Sequence, residues 1–298
     1  MKKAFTLIEL LVVIAILGTL VGSMFYIFGS TESARSVECM ANMGNLAKAV
    51  LNAQMDKSNN PDRRFPLAGS VEGMEIRIHT KQNSRNRYME FPGWISWNSR
   101  GAYKNNPSSH VSNQGWFLST YNQDEEARNY CLTNCTLYSY VKNYSTYLCP
   151  GHLKKMPESQ RPTWSYVMNG YFGYDKSKGA GTTATDVSPA RKEITSPSER
   201  LLFAELQWEE YVDYKPNFNS GSGIENDCTL QYADNEIIGF NHKDGNDIVA
   251  HVAFADGRVD KIRLPEGGLS EGELKRLTEY LCTAQAYEIK GAGVSKVK

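Results

Sequence analysis

The chain has 298 residues, and its 33 lysine and arginine residues are balanced by 33 aspartate and glutamate residues. This neutral balance argues against nucleic acid as a partner, because nucleic-acid binding generally needs a basic surface. The length is sufficient for a terminal segment and one large globular domain.

An apolar run extends over residues 5–28 and is interrupted by a single acid, Glu9. As a helix this run spans roughly 36 Å, which is enough to cross a bilayer. Lys2 and Lys3 precede it, which predicts a cytoplasmic N-terminus and a domain outside the cytoplasm. The run is too long for the apolar region of an ordinary cleaved secretory signal.

The helix is predicted to continue past the apolar run, because residues 29–57 contain no proline and carry apolar residues at helical spacing. The predicted apolar face consists of Val37, Met40, Ala41, Gly44, Ala47 and Leu51. Asn59 and Pro61 then end the helix. The sequence therefore predicts a transmembrane half over 5–28, an amphipathic half over 29–57 and a globular domain over 58–298.

Glu9 requires a counter-charge, because an isolated carboxylate in hydrocarbon costs a few kcal/mol or more. The apolar run contains no basic residue. Cleavage of the chain just before Phe5 would create an α-ammonium about one helical turn from Glu9. Between staggered copies of the helix, this amine and Glu9 would pair and fix the axial register of the subunits.

The stretch KKAFTLIELLVVIAILG resembles the cleavage and methylation segment of type IV prepilins and type II secretion pseudopilins. The resemblance implies a leader peptide over residues 1–4, cleavage by a prepilin peptidase between Ala4 and Phe5, and N-methylation of Phe5. Ala4 stands where this family usually has glycine.

Many pilins have a proline deep in the helix, whereas this chain has Gly18 and Gly22. These two glycines favour close helix packing or local melting, and the alternative is that they are ordinary small residues.

The resemblance implies a structural protein and no enzyme. A pilin or pseudopilin would be a single-pass protein of the bacterial inner membrane with a periplasmic domain. Its partners would be the prepilin peptidase, membrane lipid and other subunits, with which it forms a pilus-like or type II secretion pseudopilus filament. One alternative is a membrane-anchored protein that binds polysaccharide or an exported substrate through Trp94 and Trp97. Another alternative is a tethered periplasmic enzyme, but the sequence contains no recognised catalytic motif.

Beyond residue 58, short β-like runs and turns predict an α+β fold in which an antiparallel sheet packs on the long helix. Residues 201–206 predict a buried strand, and a helix is predicted within 130–147. Two turns, at Asp244-Gly245 and Asp256-Gly257, predict a three-stranded antiparallel meander. Ser270 and Glu273 form a capping box for a short C-terminal helix. The expected architecture is pilin-like, with loop-rich insertions.

Six cysteines in an exported chain predict disulfides without fixing their connectivity. Cys149 is the preferred partner for either of two nearby cysteines, and Cys282 is a candidate partner for Cys228. The candidates for pairing are Cys131, Cys135, Cys149, Cys228 and Cys282.

No cofactor is firmly expected, but the tight loop with Asp244, Asn246 and Asp247 offers the oxygen ligands that calcium prefers. The alternative is that these are ordinary turn residues. A weaker hypothesis is zinc held across the hairpin by His242 and His251.

Glu205 lies in the predicted strand. Its side chain is either buried and hydrogen-bonded or, as the favoured interpretation, exposed on the other face of the strand.

Later segments of the chain also resemble, in the same order, those of bacterial prepilin-like families that end in an H-x9-DG segment. Thirteen residues separate His242 from Asp256 here, so the pattern is a lengthened variant. The matching residues are Cys39 with Asn42 and Asn45, Cys149-Pro150, Ser165-Tyr166 with Asn169, Pro197-Ser198 with Phe203-Ala204-Glu205, and His242 with Asp256-Gly257.

Overall fold

A computed structural model of the chain describes residues 7–58, 60, 63–66, 68, 94–95, 132, 135–155, 164–172, 192, 194–207, 229–230 and 236–297. The α-helices in these ranges include α1 (Leu7–Met55), α2 (Pro150–Lys155) and α3 (Glu271–Thr283). Two 3-10 helices cover Tyr144–Tyr147 and Gly170–Phe172. Within residues 130–147, where a helix is predicted, Leu132 is helical and residues 144–147 form a 3-10 helix, whereas residues 135–143 form turns and irregular backbone.

The described strands form one large sheet and one hairpin. The strands are β1 (Val167–Asn169), β2 (Leu201–Ala204), β3 (Thr229–Leu230), β4 (His242–Asp244), β5 (Asp247–Phe254), β6 (Val259–Arg263), β7 (Tyr287–Lys290) and β8 (Gly293–Lys296). The large sheet has the order β3-β1-β2-β5-β4, and β6 pairs with the other edge of β5. Its strands are antiparallel except for the parallel pair of β1 and β3.

The long helix is confirmed and ends at Met55, two residues before the predicted end. Its 49 residues make a rod of about 73 Å. The second part of α1 packs against the large sheet and α2. However, its buried face is rotated by about one residue from the predicted one. Val37 is exposed, while the fully buried apolar positions of this face are Cys39, Met43, Leu46, Ala47 and Val50.

The N-terminal part of α1 has different surroundings. Large apolar side chains from Leu7 to Leu17 are exposed, whereas the same helix is buried against the sheet further on. Among the residues that the structure describes, no helix satisfies the length and hydropathy expected of a membrane span. The transmembrane character of residues 5–28 therefore stays a prediction.

The meander is confirmed as β4, β5 and β6, with turns at the two predicted Asp-Gly positions. Strand β5 is the centre of the sheet, and one of its edges is shared by two strands. β4 pairs with Ile248 and its neighbours at the start of β5, while β2 pairs with Val252 and following residues at the end. This arrangement brings the end of β2 and the beginning of β4 side by side.

At the C-terminus, the N-cap half of the predicted capping box is confirmed: the Ser270 hydroxyl accepts a hydrogen bond from the backbone N–H of Glu273 at the start of α3. The Glu273 carboxylate instead accepts from the backbone N–H of Val294 and from Arg276. The hairpin of β7 and β8 was not predicted. Together with the long helix and the antiparallel strands, these elements make the fold α+β, as expected.

Candidate functional site

Four polar side chains from distant parts of the chain converge in the interior, between α1 and the large sheet. One ligand-type atom from each lies within 4.8 Å of all the others. All four side chains are almost completely buried, with at most 3% of their surface exposed. We call this group the four-residue cluster; its members are Cys39, Cys149, Glu205 and His242.

Each member occupies a defined position in a different element. Cys39 lies on the buried face of α1, and Cys149 directly precedes α2, where its carbonyl accepts a hydrogen bond from Leu153. Glu205 follows the last residue of β2, and His242 is the first residue of β4. Because β2 and β4 share one edge of β5, their adjoining ends bring Glu205 and His242 together.

The contacts within the four-residue cluster are short. His242 Nε2 lies 2.8 Å from Glu205 Oε2 and 3.6 Å from Cys149 Sγ. The Cys39 thiol donates to Glu205 Oε1 at 3.4 Å. The four groups therefore face one common point.

The electrostatics of the four-residue cluster are those of a buried ion pair with two neutral thiols. Burial acts to raise the pKa of Glu205, but the charge of His242 outweighs it and lowers that pKa to about 2. Burial likewise acts against the charged form of His242, but Glu205 raises the pKa of His242 to about 10. Burial raises the pKa of Cys39 to about 11 and the pKa of Cys149 well above its ordinary value.

A cysteine, a histidine and a glutamate in contact invite comparison with a catalytic triad. In a triad, the histidine uses one nitrogen for the nucleophile and the other for the acid that orients it. Here the same atom, Nε2 of His242, faces both Cys149 and Glu205. This geometry favours groups that converge on one centre over a relay that passes a proton along a line.

Further polar groups surround the four-residue cluster. The Tyr166 hydroxyl donates to Cys39 Sγ at 3.5 Å, and Asn241 Nδ2 donates to Glu205 Oε2 at 3.4 Å. The ring of His251 stacks on that of His242 at a centroid distance of 4.2 Å. These contacts restrict the orientations of the ligand-type side chains.

Gly151 permits the close approach of α2 to the four-residue cluster. A Cβ atom at this position would lie 3.3 Å from His242 Cε1 and 3.5 Å from Cys149 Sγ. The first distance is tighter than an ordinary carbon contact. A larger residue would therefore push α2 away from the imidazole.

Most of the predicted processing and assembly residues are not placed in detail. Ala4 and Phe5 lie outside the described residues. Glu9, Gly18 and Gly22 lie within α1, and a Cβ built on Gly18 meets no heavy atom of the described chain within 4 Å. Cleavage, methylation and the register role of Glu9 stay predictions.

The predicted calcium loop is the two-residue turn between β4 and β5. The Asp244 carboxylate lies 2.8 Å from Lys261 Nζ, and that of Asp247 lies 3.0 Å from Arg263. Both carboxylates thus already face a cation, with which calcium would compete. Calcium binding at Asp244, Asn246 and Asp247 stays a prediction.

The described cysteines are all free and buried. Cys149 lies beside Cys39, which was not among the predicted partners, and Cys135 lies instead 4.0 Å from the Tyr147 hydroxyl. Cys131 and Cys228 lie outside the described residues, so pairing that involves them, including that of Cys282 with Cys228, stays a prediction.

The favoured interpretation of Glu205 is wrong, and the zinc hypothesis for His242 and His251 is disfavoured. Glu205 is buried, not exposed, because β2 is covered on both faces. Zinc held between His242 and His251 is disfavoured, because the rings stack with an interplanar angle of 20° and His251 Nε2 faces Ser36 Oγ at 2.9 Å. The structure instead places His242 with two cysteines and a glutamate.

Sequence reasoning from motifs alone did not find the four-residue cluster, because each member comes from a different segment. The signal that existed was the ordered resemblance to the prepilin-like families, which singled out all four members. Asp256 and Gly257, from the same pattern, lie instead in the turn between β5 and β6.

Comparison with known proteins gives one match. Residues 1–25 match the family model described as the prokaryotic N-terminal methylation motif, which is the prepilin-type cleavage and methylation segment. No curated protein and no solved structure matches the chain.

Proposed function

We propose that this protein is a structural, non-catalytic pilin or pseudopilin subunit that a prepilin peptidase processes and that assembles through its N-terminal helix into a filament. The observation that carries the proposal is the methylation motif over residues 1–25. Such a motif points to a processed, pilin-like protein. Held first in the inner membrane, the processed subunit would then join a pilus-like or type II secretion pseudopilus filament.

The surroundings of α1 support this proposal. The helix has no break between Leu7 and Met55, and the large apolar side chains from Leu7 to Leu17 are exposed. A contiguous apolar surface of this kind is stable when lipid or other apolar helices cover it. Assembly would move this surface from lipid into a bundle of helices and keep it away from water.

Glu9 would provide the register. After cleavage before Phe5, the new α-ammonium of one copy and the Glu9 carboxylate of the next form an ion pair in an apolar surrounding. Such a pair fixes the relative position of two helices, because an unpaired charge in that surrounding is costly.

The first experiment tests processing: mass spectrometry of the protein isolated from its own cells. We expect a chain that begins at Phe5 with a methylated amine. A mature protein that begins at Met1 would overturn the proposal.

The second experiment tests assembly with the Glu9→Leu variant. We expect normal membrane insertion but loss of most filaments in sheared fractions and electron micrographs, because the register-fixing charge is gone. The matched control is Glu38→Leu, which removes an exposed carboxylate from the same helix and should assemble normally. Normal filaments from Glu9→Leu would contradict the register argument.

The alternative of a polysaccharide- or substrate-binding protein gains no support from Trp94. Trp94 is completely buried and packs edge-on against Phe203, with ring centroids 4.9 Å apart. Trp97 lies outside the described residues. Trp94 therefore contributes to the core rather than to a binding surface.

A further inference from the structure

We propose that Cys39, Cys149, Glu205 and His242 form a closed, structural zinc site that joins the long helix to the sheet and to α2. This inference is independent of the proposed filament role, since zinc binding by the isolated chain and assembly of the filament are measured separately.

The donor atoms are those that zinc prefers. Zinc is bound in proteins by cysteine sulfur, histidine nitrogen and carboxylate oxygen, usually as four ligands in a tetrahedron. The four-residue cluster offers two sulfurs, one imidazole nitrogen and one carboxylate, all within 4.8 Å of one another. Calcium and magnesium favour sites made of oxygen alone, so a borderline-soft ion such as zinc fits this set better.

Two of the distances between donor atoms are also close to those of a tetrahedral site. With zinc–sulfur bonds of about 2.3 Å and zinc–nitrogen or zinc–oxygen bonds of about 2.0–2.1 Å, tetrahedral angles separate sulfur from nitrogen or oxygen by about 3.6 Å. The observed distances are 3.6 Å from Cys149 Sγ to His242 Nε2 and 3.4 Å from Cys39 Sγ to Glu205 Oε1. His242 and Glu205, now 2.8 Å apart, would separate by about 0.6 Å around the ion.

The surroundings fit a metal site as well. Ligand side chains of metal sites are typically oriented by further hydrogen bonds, and here Tyr166 donates to Cys39 Sγ and Asn241 donates to Glu205. Zinc binding displaces the protons of both thiols and the proton between His242 and Glu205, so a divalent cation is held by two thiolates and one carboxylate. The approach of both Cys149 and Glu205 to His242 Nε2 is then explained, because that nitrogen points to the ion.

The rival arrangement is a disulfide between Cys39 and Cys149, whose sulfurs are neighbours in a chain expected outside the cytoplasm. A disulfide would join α1 to α2 but leave Glu205 and His242 without a role in the bridge. The zinc site uses all four members, which is why we favour it.

The test uses the full-length chain purified in detergent with its thiols reduced. We expect about one zinc ion per chain by elemental analysis, and a melting temperature that falls with a chelator and recovers with zinc. Cobalt in place of zinc should give the thiolate charge-transfer and visible absorption bands of a tetrahedral site. This spectroscopic readout needs no variant and so does not depend on whether a variant folds.

Variants locate the site. Cys39→Ser and Cys149→Ser should each weaken zinc binding at least about tenfold, whereas Cys282→Ser should not. Cys282 is a matched control, because it is an equally buried cysteine outside the four-residue cluster. No zinc on the reduced chain, zinc binding that both cluster variants retain, stoichiometric binding of a different metal from the cell, or a Cys39–Cys149 disulfide in the protein from its own cells would each overturn the proposal.

Discussion

The two parts of α1 belong to one continuous helix but have opposite surroundings. Near the N-terminus, neighbouring apolar residues such as Leu10 and Leu11 are both exposed, so no single face is hidden. Further on, Met43, Leu46 and Val50 are completely buried. Two residues that come shortly before them in the helix, Glu38 and Ala41, are exposed. A helix that is apolar all round differs from one with an apolar stripe, because only the stripe specifies a single packing partner.

The largest expected effect comes from the same substitution made in each part. Leu46→Ala should lower the free energy of unfolding by about 2–5 kcal/mol, because it leaves a cavity in the core. Leu10→Ala should change it by less than about 0.5 kcal/mol, because this side chain is 61% exposed. Denaturant unfolding of the two variants in the same detergent measures the difference, and equal effects would refute the contrast between the two parts.

Low pH should lower the free energy of unfolding of the packed part of the molecule only. His152 in α2 is one cause. Burial lowers the pKa of His152 to about 4, with opposing smaller effects of Glu205 and His242. Since the unfolded value is about 6.5, the unfolded chain binds more protons between about pH 4 and 6.5. Stability is therefore lost as the pH falls through this window, by up to about 1.4 kcal/mol per pH unit from this group.

The measurement is denaturant unfolding as a function of pH, with a chelator present so that metal does not contribute. His152→Gln removes the titrating group and should make the pH dependence shallower by that amount. If the variant and the wild type have the same slope, His152 is not held neutral by burial.

The smallest effect concerns the turn between β5 and β6, which touches the packed part of α1. Gly257 has φ +93°, and a Cβ there would lie 2.8 Å from Leu51 Cδ1. Gly267 has φ +89° and no described heavy atom within 4 Å of such a Cβ. Both alanine variants have the left-handed strain of about 1–2 kcal/mol. Gly257→Ala should cost about 1 kcal/mol more, because a leucine methyl has to move.

Thermal or denaturant unfolding of the two glycine variants gives this difference directly. Equal losses of stability would mean that the turn does not press on Leu51.

Much of the fold was predictable because its signals are local. The end of α1 follows from the residues around Pro61, the meander from its two Asp-Gly turns and α3 from the capping box at Ser270. The predicted buried face of α1 was off by one position, because the prediction counted exposed Val37 and not Cys39. The β7–β8 hairpin was missed although residues 287–290 (YEIK) alternate apolar and polar side chains, because this alternation covers only four residues before the turn, Gly291-Ala292.

The four-residue cluster was not predictable from local spacing, because its members are separated by up to about two hundred residues and meet only through the sheet topology. The burial of Glu205 was misjudged for a related reason. All four residues of β2 are buried, so the strand lacks the alternation that tells which face a following side chain takes.

The position of Cys39 has a mechanical consequence. Along α1 from its N-terminus, the first described buried side chains are Ser36 and Cys39, which contact His251 and Glu205 on the sheet. Tension applied to the exposed end of the rod is transmitted through continuous helical hydrogen bonds and reaches these two contacts before Met43 or Leu46. Among the buried contacts of α1, those of Ser36 and Cys39 thus bear shear first, and Cys39 is also where the helix meets the other polar groups of the four-residue cluster.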